Sequence, residues 1–181
     1  MEGLLKLLKA AGVLKRVIRS GWAKVGVENP ESVAEHSYRT ALLAMLLADL
    51  EGFNAERAMR MALLHDLAES MTGDLTPEEK RRLGESYRMR EEEAMRHLLR
   101  GLPEGLRRRY LELWKEYRRC ETPEARLVHM ADGLEMVLQA LEYEEEGIEA
   151  KRLDRFWRWK GEGAASRLYE LLRRKRLGLR A

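Results

Sequence analysis

The chain has 181 residues, one cysteine (Cys120), 36% charged residues and a net charge of +3. That length suits one domain that buries a core without disulfides, and the lone thiol excludes an intramolecular disulfide framework and fits a reducing cytoplasm. The mild net charge gives no ground for expecting nucleic acid, and no apolar run reaches the length of a membrane span.

Glu and Arg dominate the charge, while the amides are reduced to Asn29, Asn54 and Gln139. That bias resembles hyperthermophile composition, in which ion-pair networks are favoured and thermolabile amides avoided. The basic run from Arg167 to Arg180 reads as a solvated last helix with cations near its C-terminal dipole.

Helix signals fill the chain in order, with no period-two alternation that would mark a strand. Met1–Ala11 carries Lys6 and Lys9 and reads as part of an amphipathic helix over 2–18, not as a signal peptide. An irregular segment over 19–30 follows, broken by Gly21, Gly26 and Asn29-Pro30. Ser32 and Glu35 form a capping box that opens a largely apolar helix reaching about Leu50. Asn54 caps a third helix, expected to run through to Ser70. A loop around Gly73 leads to Thr76-Pro77-Glu78-Glu79, a helix start with proline at its first position and acids in its first turn. Further helices are expected near 77–100, 103–119 and 123–146, the last stopped by Gly147. One or two amphipathic helices close the chain, carrying Phe156, Trp157 and Trp159, then Leu168, Leu171 and Leu172. Phe156–Trp159 is a candidate contact surface or part of the core.

Polar residues interrupt three of the apolar stretches. His65 and Asp66 lie in Met61–Glu69, where burying them unpaired would cost several kcal/mol. Glu69 follows at a spacing that lets all three face one site. His36 begins the second helix, and Asp132 sits within Val128–Met136. Two imidazoles and two carboxylates suit a divalent transition metal, and converging violations of a core pattern mark a functional site. His97 reads as ordinary and His129 as a substitute ligand. On the residues alone, Asp132 could instead pair with an arginine, Asp74 could be a turn residue after Gly73, Glu69 a surface acid, Trp22 core packing, and Arg19 and Lys80 solvated cations.

The ordered blocks Ser32-Val33-Ala34-Glu35-His36-Ser37, His65-Asp66-Leu67-Ala68-Glu69, Thr72-Gly73-Asp74 and Ala131-Asp132 resemble the H…HD…D signature of the HD superfamily. Arg19-Ser20-Gly21-Trp22, Gly73-Asp74-Leu75-Thr76-Pro77, Arg90–Met95, Leu113–Tyr117 and Glu135–Tyr143 are similar to its 5′-deoxynucleotidase branch. The resemblance runs from about residue 4 to residue 160. It implies one all-α HD domain over 1–181, a bundle of seven to nine helices around a central metal. It implies His36, His65, Asp66 and Asp132 as ligands of one divalent ion (Mn, Co, Ni, Zn or Fe). Glu69 and Asp74 become the catalytic carboxylates, Asp74 acting on the attacking water and Glu69 shaping the water network. Trp22 stands near the sugar and disfavours a 2′-hydroxyl; Thr76 and Lys80 lie near the substrate. Bacterial members carry the phosphate-orienting arginine directly before the tryptophan, where this chain has Gly21, so Arg19 inherits the role. The expected reaction is hydrolysis of deoxyribonucleoside 5′-monophosphates by a cytoplasmic homodimer.

Two rivals stand beside it. One is an HD phosphohydrolase acting on a triphosphate, cyclic nucleotide or alarmone; the few cations near the motifs (Arg19, Lys24, Arg39 and Lys80) favour a monophosphate. The other is a non-catalytic helical module holding a structural metal.

Overall fold

A computed structural model describes residues 1–179; Arg180, the end of the basic tail, lies outside the described residues, as does Ala181. The described residues form eleven α-helical segments and no strand. They are α1 (Glu2–Val13), α2 (Ser20–Lys24), α3 (Val33–Glu51), α4 (Ala55–Leu64), α5 (Glu69–Thr72), α6 (Pro77–Leu83), α7 (Glu85–Leu99), α8 (Glu104–Arg119), α9 (Pro123–Glu145), α10 (Ala150–Leu153) and α11 (Gly163–Arg176). Eight of these run seven residues or more, in line with the seven to nine helices expected. No described helix is long and apolar enough to cross a membrane.

The centre is α3, α4 and α9, packed against one another. The capping box forms as the sequence dictates: Ser32 Oγ accepts from Glu35 N (3.2 Å) and Glu35 Oε2 accepts from Ser32 N (2.6 Å). Thr122 caps α9 with Pro123 at its first position, and Leu127, Val128, Ala131, Leu134 and Val137 are fully buried along it. Each such leucine or valine contributes about 1.5–3 kcal/mol on leaving water. A second apolar cluster gathers Leu14, Val33, Leu67, Met95, Leu98, Leu99, Leu102 and Trp114, joining α7 and α8 to the N-terminal segment. There α1 meets the α7–α8 turn through bare backbone: a Cβ on Gly3 would lie 1.8 Å from Gly101 O.

The structure departs from the expected boundaries at four places. The first helix stops at Val13, followed by a 3-10 turn over Leu14–Arg16. Val17 is extended, and its strand-like segment pairs with the residues before α3: Val33 N donates to Val17 O (2.8 Å) and Arg19 N to Glu31 O (2.9 Å). The irregular segment contains α2. The expected 77–100 helix is two, because Gly84 adopts φ 55 between α6 and α7. The helix expected to reach Ser70 ends at Leu64. Beyond it the backbone tightens to i−3 bonds, with Leu67 N on Leu64 O (3.2 Å) and Glu69 N on Asp66 O (2.9 Å). The His-Asp pair therefore sits on a tightened turn, not in a helix interior; such turns are frequent at functional positions.

The aromatic segment after α10 belongs to the core. Trp157 is buried, Phe156 packs on Trp22 with ring centroids 3.9 Å apart, and Trp159 Nε1 donates to Met130 O (3.0 Å). Gly133, inside α9, lets Trp159 approach: a Cβ there would lie 2.8 Å from its Cδ1.

Candidate metal centre

Three elements bring the donors together. His36 comes from the first turn of α3, His65 and Asp66 from the tightened turn after α4, and Asp132 from the middle of α9. One donor atom each from His36, His65 and Asp132 falls within a 4.8 Å sphere of mutual distance. Asp66 Oδ2 is 3.1 Å from His65 Nε2 and 3.8 Å from His36 Nε2; Asp132 Oδ1 is 3.1 Å from His36 Nε2. All four expected ligands converge.

The donor set fits a divalent cation. His65 Nδ1 donates to Ala62 O (2.6 Å), which leaves the buried Nε2 as an acceptor with no hydrogen-bond partner, although carboxylate oxygen is close by. An acceptor nitrogen facing acceptor oxygens calls for a cation between them. His36 is arranged likewise: its Nδ1 bonds to Glu135 Oε2, turning Nε2 toward the cluster. Outer carboxylates and carbonyls fix the tautomer and orientation of metal-binding histidines in this way. The carboxylates also favour positive charge at this place. Burial and the Arg19 charge push the His36 imidazole down, but Glu135 and Asp132 outweigh them and raise it to about 10. Burial likewise opposes ionisation of Asp132, and contact with His36 overrides it to hold the carboxyl low.

His129, the substitute ligand, is engaged elsewhere: its Nε2 donates to Tyr117 O (2.8 Å) and its ring stacks on Tyr117 at 4.1 Å. His97 is exposed and away from the cluster.

The other expected residues surround the donors. Glu69 is 1% exposed; Oε1 accepts from Lys80 Nζ (2.9 Å), while Oε2 is buried without a partner. Burial first, then the charge of Asp66, lifts its carboxyl well above the usual range. Asp74 is fully engaged: Oδ2 accepts from Ser20 N (2.5 Å) and Ser20 Oγ (2.7 Å), and Oδ1 faces Arg19 NH1 (3.3 Å). The Arg19 guanidinium lies between Asp66 (3.4 Å) and Asp74. Thr76 caps α6 and accepts from Lys24 Nζ (3.1 Å). Trp22 lines the cleft but is 1% exposed, wedged between Tyr143 and Phe156 with Nε1 on Glu31 Oε1 (2.9 Å). It is a wall rather than an open stacking face.

Sequence reasoning missed the support of His36. Arg39 bonds Glu135 Oε1 through Nε (2.8 Å) and Glu142 Oε2 through NH1 (2.6 Å), so its charge serves α9 and not the substrate. The signal was present: Glu135 stands three residues after Asp132, and Arg39 three after His36, each on its ligand's face. The scarcity of cations was also misjudged. The donors open into a cleft of about 1050 Å³ lined additionally by Arg81, Arg88, Arg118, Arg119, Arg155 and Arg158. Those residues come from α6, α7, α8 and the segment after α10, and only the fold brings them to one cleft.

Comparison with known proteins gives concordant results. The HD domain family model matches residues 11–170. The 5′-deoxynucleotidase HDDC2 of Mus musculus is 45% identical over 155 residues, covering 86% of this chain and 77% of the relative. The namesake from Danio rerio is 43% identical over 157 residues, covering 87% and 78%. Among solved structures, a conserved hypothetical protein from Pyrococcus furiosus superposes with a TM-score of 0.77 at 38% identity, covering 94% of this chain and 99% of that one.

Proposed function

Because the chain belongs to the HD domain family and is a metal-dependent phosphomonoesterase of the 5′-deoxynucleotidase kind, we propose that His36, His65, Asp66 and Asp132 hold one divalent transition-metal ion beside which a deoxyribonucleoside 5′-monophosphate is cleaved to deoxynucleoside and phosphate. The observation that carries the site assignment is the buried, unpartnered Nε2 of His65 among carboxylate oxygens. We read residues 1–181 as one HD domain and the active form as a cytoplasmic homodimer.

A divalent ion at the cluster supplies positive charge for the phosphoryl oxygens and makes water more acidic. The chain supplies the rest. Arg19, pinned by Asp66 and Asp74, presents a fixed guanidinium to the phosphate. Lys80 adds a second positive charge from α6. The hydrogen bonds favour reversing the sequence-based roles of the two carboxylates. Glu69 has a free buried oxygen, which suits it to accept the proton of the attacking water at Oε2. Asp74, with both oxygens engaged, holds Arg19 and the start of α2 in place. Trp22 closes the sugar side as a wall against a 2′-hydroxyl.

The test is phosphate release from dAMP, AMP and dATP by chelator-stripped protein resupplied with Mn²⁺, Co²⁺ or Zn²⁺. Metal-dependent release from dAMP in excess over AMP, abolished in Asp66→Ala, is the expected result. Release from dATP alone would move the assignment to triphosphates, which the cations lining the cleft make worth including.

A further inference from the structure

Among the sequence blocks that carry the family resemblance, Leu113–Tyr117 has no place in the chemistry above. It ends at Tyr117, in the last turn of α8, whose side chain reaches the metal cluster at Asp132. Tyr117 Oη donates to Asp132 Oδ2 at 3.2 Å, while Asp132 Oδ1 is the oxygen turned to His36 Nε2. The two oxygens of this one carboxylate are thus divided between a hydroxyl and the metal cluster.

The phenol is held as firmly as the bond it makes. Its ring stacks on His129, with centroids 4.1 Å apart and planes 14° from parallel, and meets His65 edge-on at 5.5 Å. His129 Nε2 donates to the backbone carbonyl of Tyr117 itself (2.8 Å). The same carbonyl receives Cys120 N (3.0 Å), where the chain turns sharply with Cys120 at φ 55. His129 stands three residues before Asp132 on α9, so ligand and buttress belong to one helix face. A phenol clamped by a ring and a backbone bond has little freedom to follow the carboxylate; the carboxylate must conform to the phenol.

We propose that Tyr117, clamped by His129, is a positioning residue for the metal site: its hydroxyl takes Asp132 Oδ2 so that only Oδ1 faces the ion. A carboxylate free to turn could offer both oxygens and occupy the coordination position that a catalytic site keeps open for water or substrate. The hydroxyl prevents this without touching substrate. The inference rests on the metal-site reading given above.

The experiment compares wild type, Tyr117→Phe and His129→Ala, all full-length and stripped by chelation. Each is titrated with Co²⁺ while its visible absorption is recorded, and dAMP kinetics follow with the loaded proteins. Tyr117→Phe keeps the ring and the stack, so its melting temperature should match wild type. Its Co²⁺ dissociation constant should shift by about tenfold or more, the range for loss of an outer partner of a metal ligand. The Co²⁺ bands should change in position or intensity, and kcat should fall with KM within about twofold. His129→Ala, which keeps the hydroxyl and removes its clamp, should move affinity and spectrum the same way but less. Unaltered Co²⁺ affinity and spectrum in Tyr117→Phe would overturn the proposal even if kcat fell. Should that variant fail to fold, unaltered affinity and spectrum in His129→Ala would overturn it instead. Wild-type protein that binds no Co²⁺ would sink the metal-site reading beneath it; wild type that binds Co²⁺ while the folded variants match it would sink Tyr117 alone.

Discussion

The two sides of the cleft are built by opposite means. The donor side is set into the centre of the bundle, where His36, His65 and Glu135 are 3% exposed or less. The facing side is α6, which carries Lys80 behind its cap Thr76 and buries none of its own residues. It lies between Gly73 at φ 74 and Gly84 at φ 55, and is tied down by the ion pairs Lys24–Glu79 (2.8 Å), Arg155–Glu78 (2.8 Å) and Lys80–Glu69 (2.9 Å). Packing fixes position, because a close-packed interior resists small displacements. The pairs Lys24–Glu79 and Arg155–Glu78 are exposed, and exposed ion pairs hold weakly and yield to salt. The contrast says where exact geometry matters: at the ion, and much less at the helix that meets the ligand.

Breaking the donor side should therefore have the largest effect. Asp132→Ala removes a ligand and leaves His36 facing empty space; metal measured by plasma emission should drop to trace levels and dAMP hydrolysis to background. Glu135→Gln leaves every ligand in place and alters only what holds His36. Its metal dissociation constant should rise about 10- to 100-fold, read by competition with a chromogenic chelator. A variant with wild-type affinity would mean that packing alone orients the imidazole. Lys80→Ala works from the other side. Loss of one charged hydrogen-bond donor should cost about 1.5–3 kcal/mol in kcat/KM, or some 10- to 150-fold, with metal content unchanged. If metal is lost as well, the two sides are coupled and the contrast fails. Lys24→Met should do least: a melting temperature within error of wild type and KM raised no more than about twofold. A large loss there would show that α6 depends on its ion pairs for position, and not merely for a surface contact.

The same contrast governs what could be read from the sequence. The helices α3, α4, α6 and α9 announce themselves by caps, and the four proposed ligands stand out because polar groups interrupt apolar runs. What stayed hidden had a physical reason in each case. The split at Gly84 is a single glycine amid helix formers, weak as a stop without its φ. The tightened turn after Leu64 carries helical residues throughout, so no breaker marks it. Tyr117 and the lining arginines of α6, α7 and α8 are ordinary members of helices whose role depends on which faces meet. Asp74 was legible as a site residue, but its engagement with Ser20 and Arg19 depends on the pairing of 17–19 with 31–33, which no periodicity reveals. The segment Phe156–Trp159 shows how an aromatic run serves the core as readily as a surface.

On α3 the proposed ligand His36 is followed three residues later by Arg39; on α9 Asp132 is followed three residues later by Glu135. The crossing of these helices joins His36 to Asp132 and Glu135, and Arg39 to Glu135. This amounts to a four-point registration mark. One residue inserted or deleted inside either span turns everything beyond it by about 100°, so both the ion's ligands and their support would come apart together. Length changes among descendants of this gene should consequently fall in the connections between helices. The spans His36–Arg39 and Asp132–Glu135 should keep their lengths even where the residues between them drift.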